Sequence, residues 1–121
     1  MTRKELYESL ENLCCEMNYK YDINSGGCCF VAAVIAEQLE KCNIPFQIAC
    51  CYCPTHYWIR VSRKYINRDG FDKEYLENWT SEYLYDIYHR EHWNEEYSKR
   101  WNLIVKTRIR SLFRKYENSR S

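Results

Sequence analysis

Leu6, Leu10, Leu13 and Met17 recur every three or four residues, which predicts a helix over residues 3–17. Thr2, followed three residues later by Glu5, supplies a capping box to start it. Residues 18–27 are rich in Asn, Asp, Ser and Gly and read as a loop. Over 28–42 the pattern is helical again, but apolar positions nearly encircle the helix, so burial on more than one side is expected. Asn43 is suited to a left-handed cap and Pro45 cannot continue the helix. Residues 46–53 are almost uninterruptedly apolar and predict a central strand. Residues 56–62 alternate, with His56, Trp58 and Arg60 on one face and Tyr57, Ile59 and Val61 on the other. A turn at Arg63-Lys64 leads to a short strand over 65–67, and Arg68-Asp69-Gly70 turns the chain once more. Short connections between these strands predict an antiparallel meander. From Phe71 onwards the pattern is helical, with one or two helices over 72–90. A long helix is expected over 91–117, carrying Trp93, Tyr97, Trp101, Ile104, Val105, Leu112, Phe113 and Tyr116 on one face.

These elements describe an α+β fold, in which the second helix packs on a small antiparallel sheet. A first helix precedes it and a helical extension over 72–121 packs on this core. The chain of 121 residues fits one domain. Twelve Tyr and four Trp supply much of the apolar matter, and each needs a partner for its polar tip. A net charge of +1 gives no global bias towards nucleic acid or membrane. Charge is nevertheless segregated. Residues 72–96 hold eight acidic side chains against Lys73 and Arg90, and residues 99–121 hold eight basic ones against Glu117. The expectation is that the basic helix pairs with the acidic segment before it. No aromatic-interleaved basic motif accompanies it, which argues against a nucleic-acid arm. The longest apolar run, 28–36, is too short to span a bilayer. The polar start has no apolar core of a signal peptide, so the reading is a cytoplasmic protein.

Eight cysteines would suit a secreted disulfide framework, but the long helical patterns and polar start favour buried thiols in a reducing compartment. A zinc site built from Cys51, Cys53, His56 and Cys28 or Cys29 lacks the usual paired knuckles, and alternation sends Cys50 to the opposite face from Cys51 and Cys53. No metal is expected. One cysteine stands apart. Cys28 follows Gly26-Gly27 at the start of a helix, where unpaired N–H groups and the dipole favour a thiolate. Cys29 lies about 100° round the helix, so only one of the two can face a given cleft. His56 begins a strand after a tight turn, whereas His89 and His92 sit in a charged stretch and read as surface residues. Asn67 is expected to lie close to His56 across the antiparallel pair and to orient its ring, with Asp69 in reserve. Cys, His and an amide or carboxylate in that order suit nucleophilic catalysis by a thiol. The Cys28 N–H would serve an oxyanion hole, with Asn24 or Tyr21 as candidates for the second donor.

Gly26-x-Cys28, Ala32, Leu39 and Asn43-Ile44-Pro45, followed by His56-x-Trp58-Ile59-x-Val61, resemble the transglutaminase-like branch of papain-like cysteine enzymes. The resemblance covers residues 24–71. Asn43 stands where the family has Gly, and Asn67 where it has Asp. The family implies acyl transfer through a thioester on a peptide, isopeptide or amide bond, with a peptide or protein substrate and no cofactor. Small stand-alone members come from phages and bacteria, which would place a phage-encoded one in the host cytoplasm. The family also contains members that keep the fold without activity. The alternative is therefore a non-catalytic binding protein, such as a phage-encoded inhibitor of a host protein. A Cys28 sulfur in reach of His56 beneath an open cleft would favour the enzyme. A buried His56, or a cleft filled by the C-terminal helices, would favour the binder.

Overall fold

The computed structural model describes residues 1–24, 26–52, 54–92 and 97–119, and for 91–92 and 97–100 the backbone alone. Among the described residues it is an α+β fold of four helices and one four-stranded antiparallel sheet. Helix α1, Arg3–Tyr21, starts on the expected box: the Glu5 N–H donates to Thr2 Oγ1 and the Thr2 N–H to Glu5 Oε1, both at 3.1 Å. It runs further than the sequence suggested. Asp22, at φ 53°, then stops it with its N–H on the Asn18 carbonyl.

Helix α2, Cys28–Lys41, is buried nearly all round, from Cys28 through Ala36 and again at Leu39. It is covered by the sheet, by α3 (Ser81–His92) and by α4 (Tyr97–Asn118). Asn43 ends it in the left-handed region at φ 55°. The Ile44 N–H reaches the Leu39 carbonyl and the Asn43 N–H the Glu40 carbonyl, the paired bonds of a Schellman motif.

The sheet order is β3-β2-β1-β4, with β1 at Gln47–Cys51, β2 at His56–Val61, β3 at Lys64–Ile66 and β4 at Tyr75–Glu77. The expected meander supplies the first three. Strand β4 falls within a stretch expected to be helical. It adds to the far side of β1, where a row of backbone donors and acceptors would otherwise lie unpaired. Alternation divides the two faces of the sheet. Ile48, Cys50, Tyr57, Ile59 and Val61 join the core around α2. Ala49, Cys51 and Trp58 form a second cluster on the other face, with Tyr65 and Phe71 packed against it.

Helix α3 is described over Ser81–His92 and α4 over Tyr97–Asn118, and the junction between them, near the expected start of the long helix, lies outside the described residues. The expected Trp93 of the aromatic stripe and Cys53 lie outside the described residues, as does the Tyr97 side chain. Val105, Ile109, Phe113 and Tyr116 of α4 are buried. Of the acidic segment expected to pair with the basic helix, Glu91, Glu95 and Glu96 lie outside the described side chains, and the ion pairs described for α4 go elsewhere. Arg108 bridges to Glu16 of α1 and Arg110 to Glu37 of α2, each at 3.1 Å, so α4 is tied to the first two helices.

Helix α4 closes the core, so a chain ending at Asp72 should aggregate or unfold. Phe113→Ala should lower the stability of the intact chain by about 3–5 kcal/mol in urea denaturation. A 1–72 fragment that stays monomeric with an intact thermal transition would show that α4 is dispensable.

Candidate active site

The head of α2 starts on a residue with no side chain to cap it. Gly27 is its N-cap, and the Val31 N–H takes the Gly27 carbonyl at 3.1 Å. Cys28 sits at this end with 5% of its surface exposed. The Cys29 thiol donates to the Leu84 carbonyl of α3 at 3.3 Å, so the second cysteine is spent on the contact between helices. Gly27 is required for packing and not by its backbone conformation, which at φ −107° is open to any residue. A Cβ there would stand 2.2 Å from the Trp101 ring and 2.6 Å from the Ile23 carbonyl. Trp101, from the first turns of α4, thus packs closely against the backbone immediately before Cys28. Its ring centroid is also 5.9 Å from that of Phe30.

His56 opens β2 and is 1% exposed. Its Nε2–H donates to the Asn67 main-chain carbonyl at 2.8 Å. A carbonyl only accepts, so this bond sets the neutral tautomer with the proton on Nε2 and leaves Nδ1 as the basic nitrogen. Phe71 stacks on the ring at 4.5 Å and Trp58 at 5.5 Å. Burial lowers the imidazole pKa below its usual 6.5, opposed by the carbonyl bond and by the negative charge of Asp69. His56 therefore belongs to the cluster on the second face of the sheet, whereas Cys28 belongs to the core around α2.

Asn67 orients the histidine through its backbone, where the sequence suggested its side chain. Pairing runs Val61↔Lys64, Arg60↔Tyr65, Ile59↔Ile66, and further pairs would bring Asp69 opposite His56. The ladder stops first. Asn67, at φ 68°, turns out of the strand and aims its carbonyl back at the ring. Its N–H donates to Glu11 of α1 at 2.8 Å. Its side-chain amide exchanges two hydrogen bonds with that of Asn24, at 2.9 and 3.0 Å. Asn24 Nδ2 also donates to Asp69 Oδ2 at 3.0 Å. The amide hydrogens of Asn24 are thus committed to Asn67 and Asp69, which removes it as an oxyanion donor and makes it a clamp instead. Asn24 lies four residues before Cys28, and its own N–H is held by Asn18 Oδ1 at 3.0 Å. One network therefore ties the loop that delivers Cys28 to the carbonyl that holds His56.

The loop that shields His56 is itself pinned. Arg68 stacks over Tyr65 at 4.5 Å, and its Nε–H and guanidinium donate to the carbonyls of Phe71 and Asp72. Glu11, Arg68, Phe71 and Trp101 all support the site, and none carries a local sequence signal for that role. Cys50 and Cys51 fall on opposite faces of the sheet, and the Cys51 thiol donates to the Pro54 carbonyl at 3.4 Å. Among the described residues no group of three His, Cys, Asp or Glu is disposed to hold a metal, and the seven described cysteines form no disulfide. No described helix is long and apolar enough to cross a membrane. No family model, curated protein or solved structure matches the chain.

The buried imidazole gives stability a definite pH dependence. Below 6.5 the unfolded histidine takes up a proton that the folded one resists, so the unfolded state binds more protons and stability falls with falling pH. The urea midpoint should drop between pH 7.5 and 5.5, a window above the ordinary carboxylate range. His56→Gln should flatten that drop. An equal slope in both proteins would assign it to other groups.

Proposed function

We propose that the chain is a cysteine hydrolase or acyltransferase of papain-like, transglutaminase-like fold, acting on a peptide, isopeptide or amide bond of a peptide or protein. The observation that carries this reading is the His56 ring, held through Nε2–H by the Asn67 carbonyl. The Asn24–Asn67–Asp69 network links that bond to the loop that leads into Cys28. In this reading His56 Nδ1 takes the Cys28 thiol proton as the sulfur attacks the substrate carbonyl carbon. Oxygen takes the electron pair of the carbonyl π bond, and the N–H at the head of α2 stabilises it. The tetrahedral intermediate collapses by breaking the C–N bond, and the leaving amine takes the proton back from His56. Water or a second amine then attacks the thioester, gives its proton to His56, and releases Cys28 as a thiol. A lowered imidazole pKa keeps this base neutral near pH 7. Its dry setting between Phe71 and Trp58 strengthens the orienting bond.

Three observations favour the second reading, a binding protein on the same fold. His56 is buried, Trp101 packs against the backbone beside Cys28, and Cys28 and His56 join clusters on opposite faces of the sheet, which the enzymatic reading has to bring together. Under the enzymatic reading Trp101 must swing away before a substrate can reach the sulfur.

Alkylation with iodoacetamide near neutral pH, mapped by mass spectrometry, separates the two. The enzyme predicts that Cys28 reacts fastest of the eight cysteines and that His56→Ala slows it by roughly tenfold or more. Burial raises the pKa of the Cys14 and Cys50 thiols, and burial with the neighbouring Glu11 raises that of Cys15, so these three should lag. Labelling centred on Cys29, or independent of His56, leaves only the binding protein.

The orienting role has its own test. Asn67→Gly keeps both the carbonyl and the positive φ and should retain more Cys28 reactivity than Asn67→Ala, which loses the conformational preference. Equal losses would return the role to the Asn67 side chain.

A further inference from the structure

Among the described residues, β4 lies last in the strand order and pairs on one side only, with β1. Sheet edges are commonly blunted by shortness, charge or Pro; β4 is short and carries Glu77, but Tyr75-Leu76-Glu77 contains neither Lys nor Pro. What it offers is aromatic and acidic. Tyr75 is 59% exposed and Tyr52, at the end of β1, is 55% exposed; their rings stand 5.6 Å apart. Glu77 shares the strand face of Tyr75, and its charge acts on both the Cys50 thiol and the Tyr52 phenol. The Tyr52 hydroxyl lies 3.6 Å from the same Cys50 sulfur, which draws these groups into one corner. Among the described residues Glu77 is in no ion pair, whereas nearby Glu74 is taken up by Arg60 and Tyr65. Trp79 and Tyr83, with ring centroids 5.0 Å apart, continue the aromatic surface, and Trp79 rests on Tyr57. Over residues 72–86 the chain carries Asp72, Glu74, Glu77, Glu82 and Asp86 against Lys73.

We propose that this edge binds an extended, lysine-bearing peptide segment of a partner protein, which adds to the sheet beside β4. Main-chain hydrogen bonds to the open side of β4 would fix the peptide in extended form. A lysine side chain would lay its methylenes on Tyr52 and Tyr75 and place its ammonium over the rings and against Glu77. Charge selects the occupant: an acidic strand would meet the carboxylate of Glu77 on β4 and the acidic balance of the segment around it, a basic one is drawn to them. The surface stands independently of the chemistry assigned to Cys28. Its Tyr75 end is level with Cys50 and Tyr57, one residue from the Cys51↔His56 pair. His56 itself stands two strands in from β4 and on the opposite face of the sheet.

The test uses fluorescein-labelled peptides of about ten residues, one alternating Lys with Val and one alternating Glu with Val, titrated with the intact protein and read by anisotropy. The lysine peptide should bind roughly tenfold or more tightly than the glutamate peptide, and weaken with added salt. Glu77→Gln and Tyr75→Ser should each weaken it by roughly threefold or more. Amide shifts in nuclear magnetic resonance should centre on residues 75–77 and Tyr52. Equal binding of the two peptides, no binding, or shifts centred elsewhere would overturn the proposal. So would light scattering that shows a dimer abolished by Tyr75→Ser, because the occupant would then be a second copy of the chain. The peptide comparison needs only the wild-type protein and stands even if a variant misfolds.

Discussion

A helix that is apolar nearly all round cannot be left half covered, and α2 imposes that demand on the whole chain. Its burial from Cys28 to Leu39 is worth having only if the sheet, α3 and α4 all close around it. This explains why the C-terminal half packs on the core and does not project from it. It explains as well why the basic residues of α4 bridge to Glu16 and Glu37, the carboxylates beside the surfaces that α4 has to cover. The hydrophobic contact sets the position of α4, and the ion pairs, partly exposed, follow from it.

The same closure shapes the candidate site. The helix that presents Cys28 must also be sealed at its head, and Trp101 does this against Gly27. Any access to the sulfur is thus coupled to a core contact, which is the physical tension between the enzymatic and the binding readings. On the other face of the sheet, the 67–72 loop seals His56 under Phe71, with Arg68 holding the loop in place. Asn67 connects the two regions. Its carbonyl, N–H and side chain go to three different parts of the chain: His56 on β2, Glu11 on α1 and Asn24 before α2. A residue in the left-handed region can distribute its polar groups in this way because it has left the ladder that would otherwise consume them.

Local physics made part of this legible in the sequence. The Thr2–Glu5 box, the extent of α2, the Asn43 cap and the alternation that separates His56 from Tyr57 all depend on residues within a turn or two of one another. The three-stranded meander followed from short connections. Cys28, His56, Asn67 and Asp69 could be named as candidates because their order and spacing are properties of the chain. Tertiary structure alone decided the rest. Strand β4 exists because β1 had an open edge, a fact absent from Tyr75-Leu76-Glu77 themselves. Whether Asn67 acts by side chain or carbonyl depended on where the β2–β3 ladder ended, and on Asn24 and Glu11 arriving from 43 and 56 residues away. The place of Trp101 depended on the path of α4 across the core. Each of these is a contact between distant segments, and periodicity encodes which face of an element is apolar without encoding what will cover it.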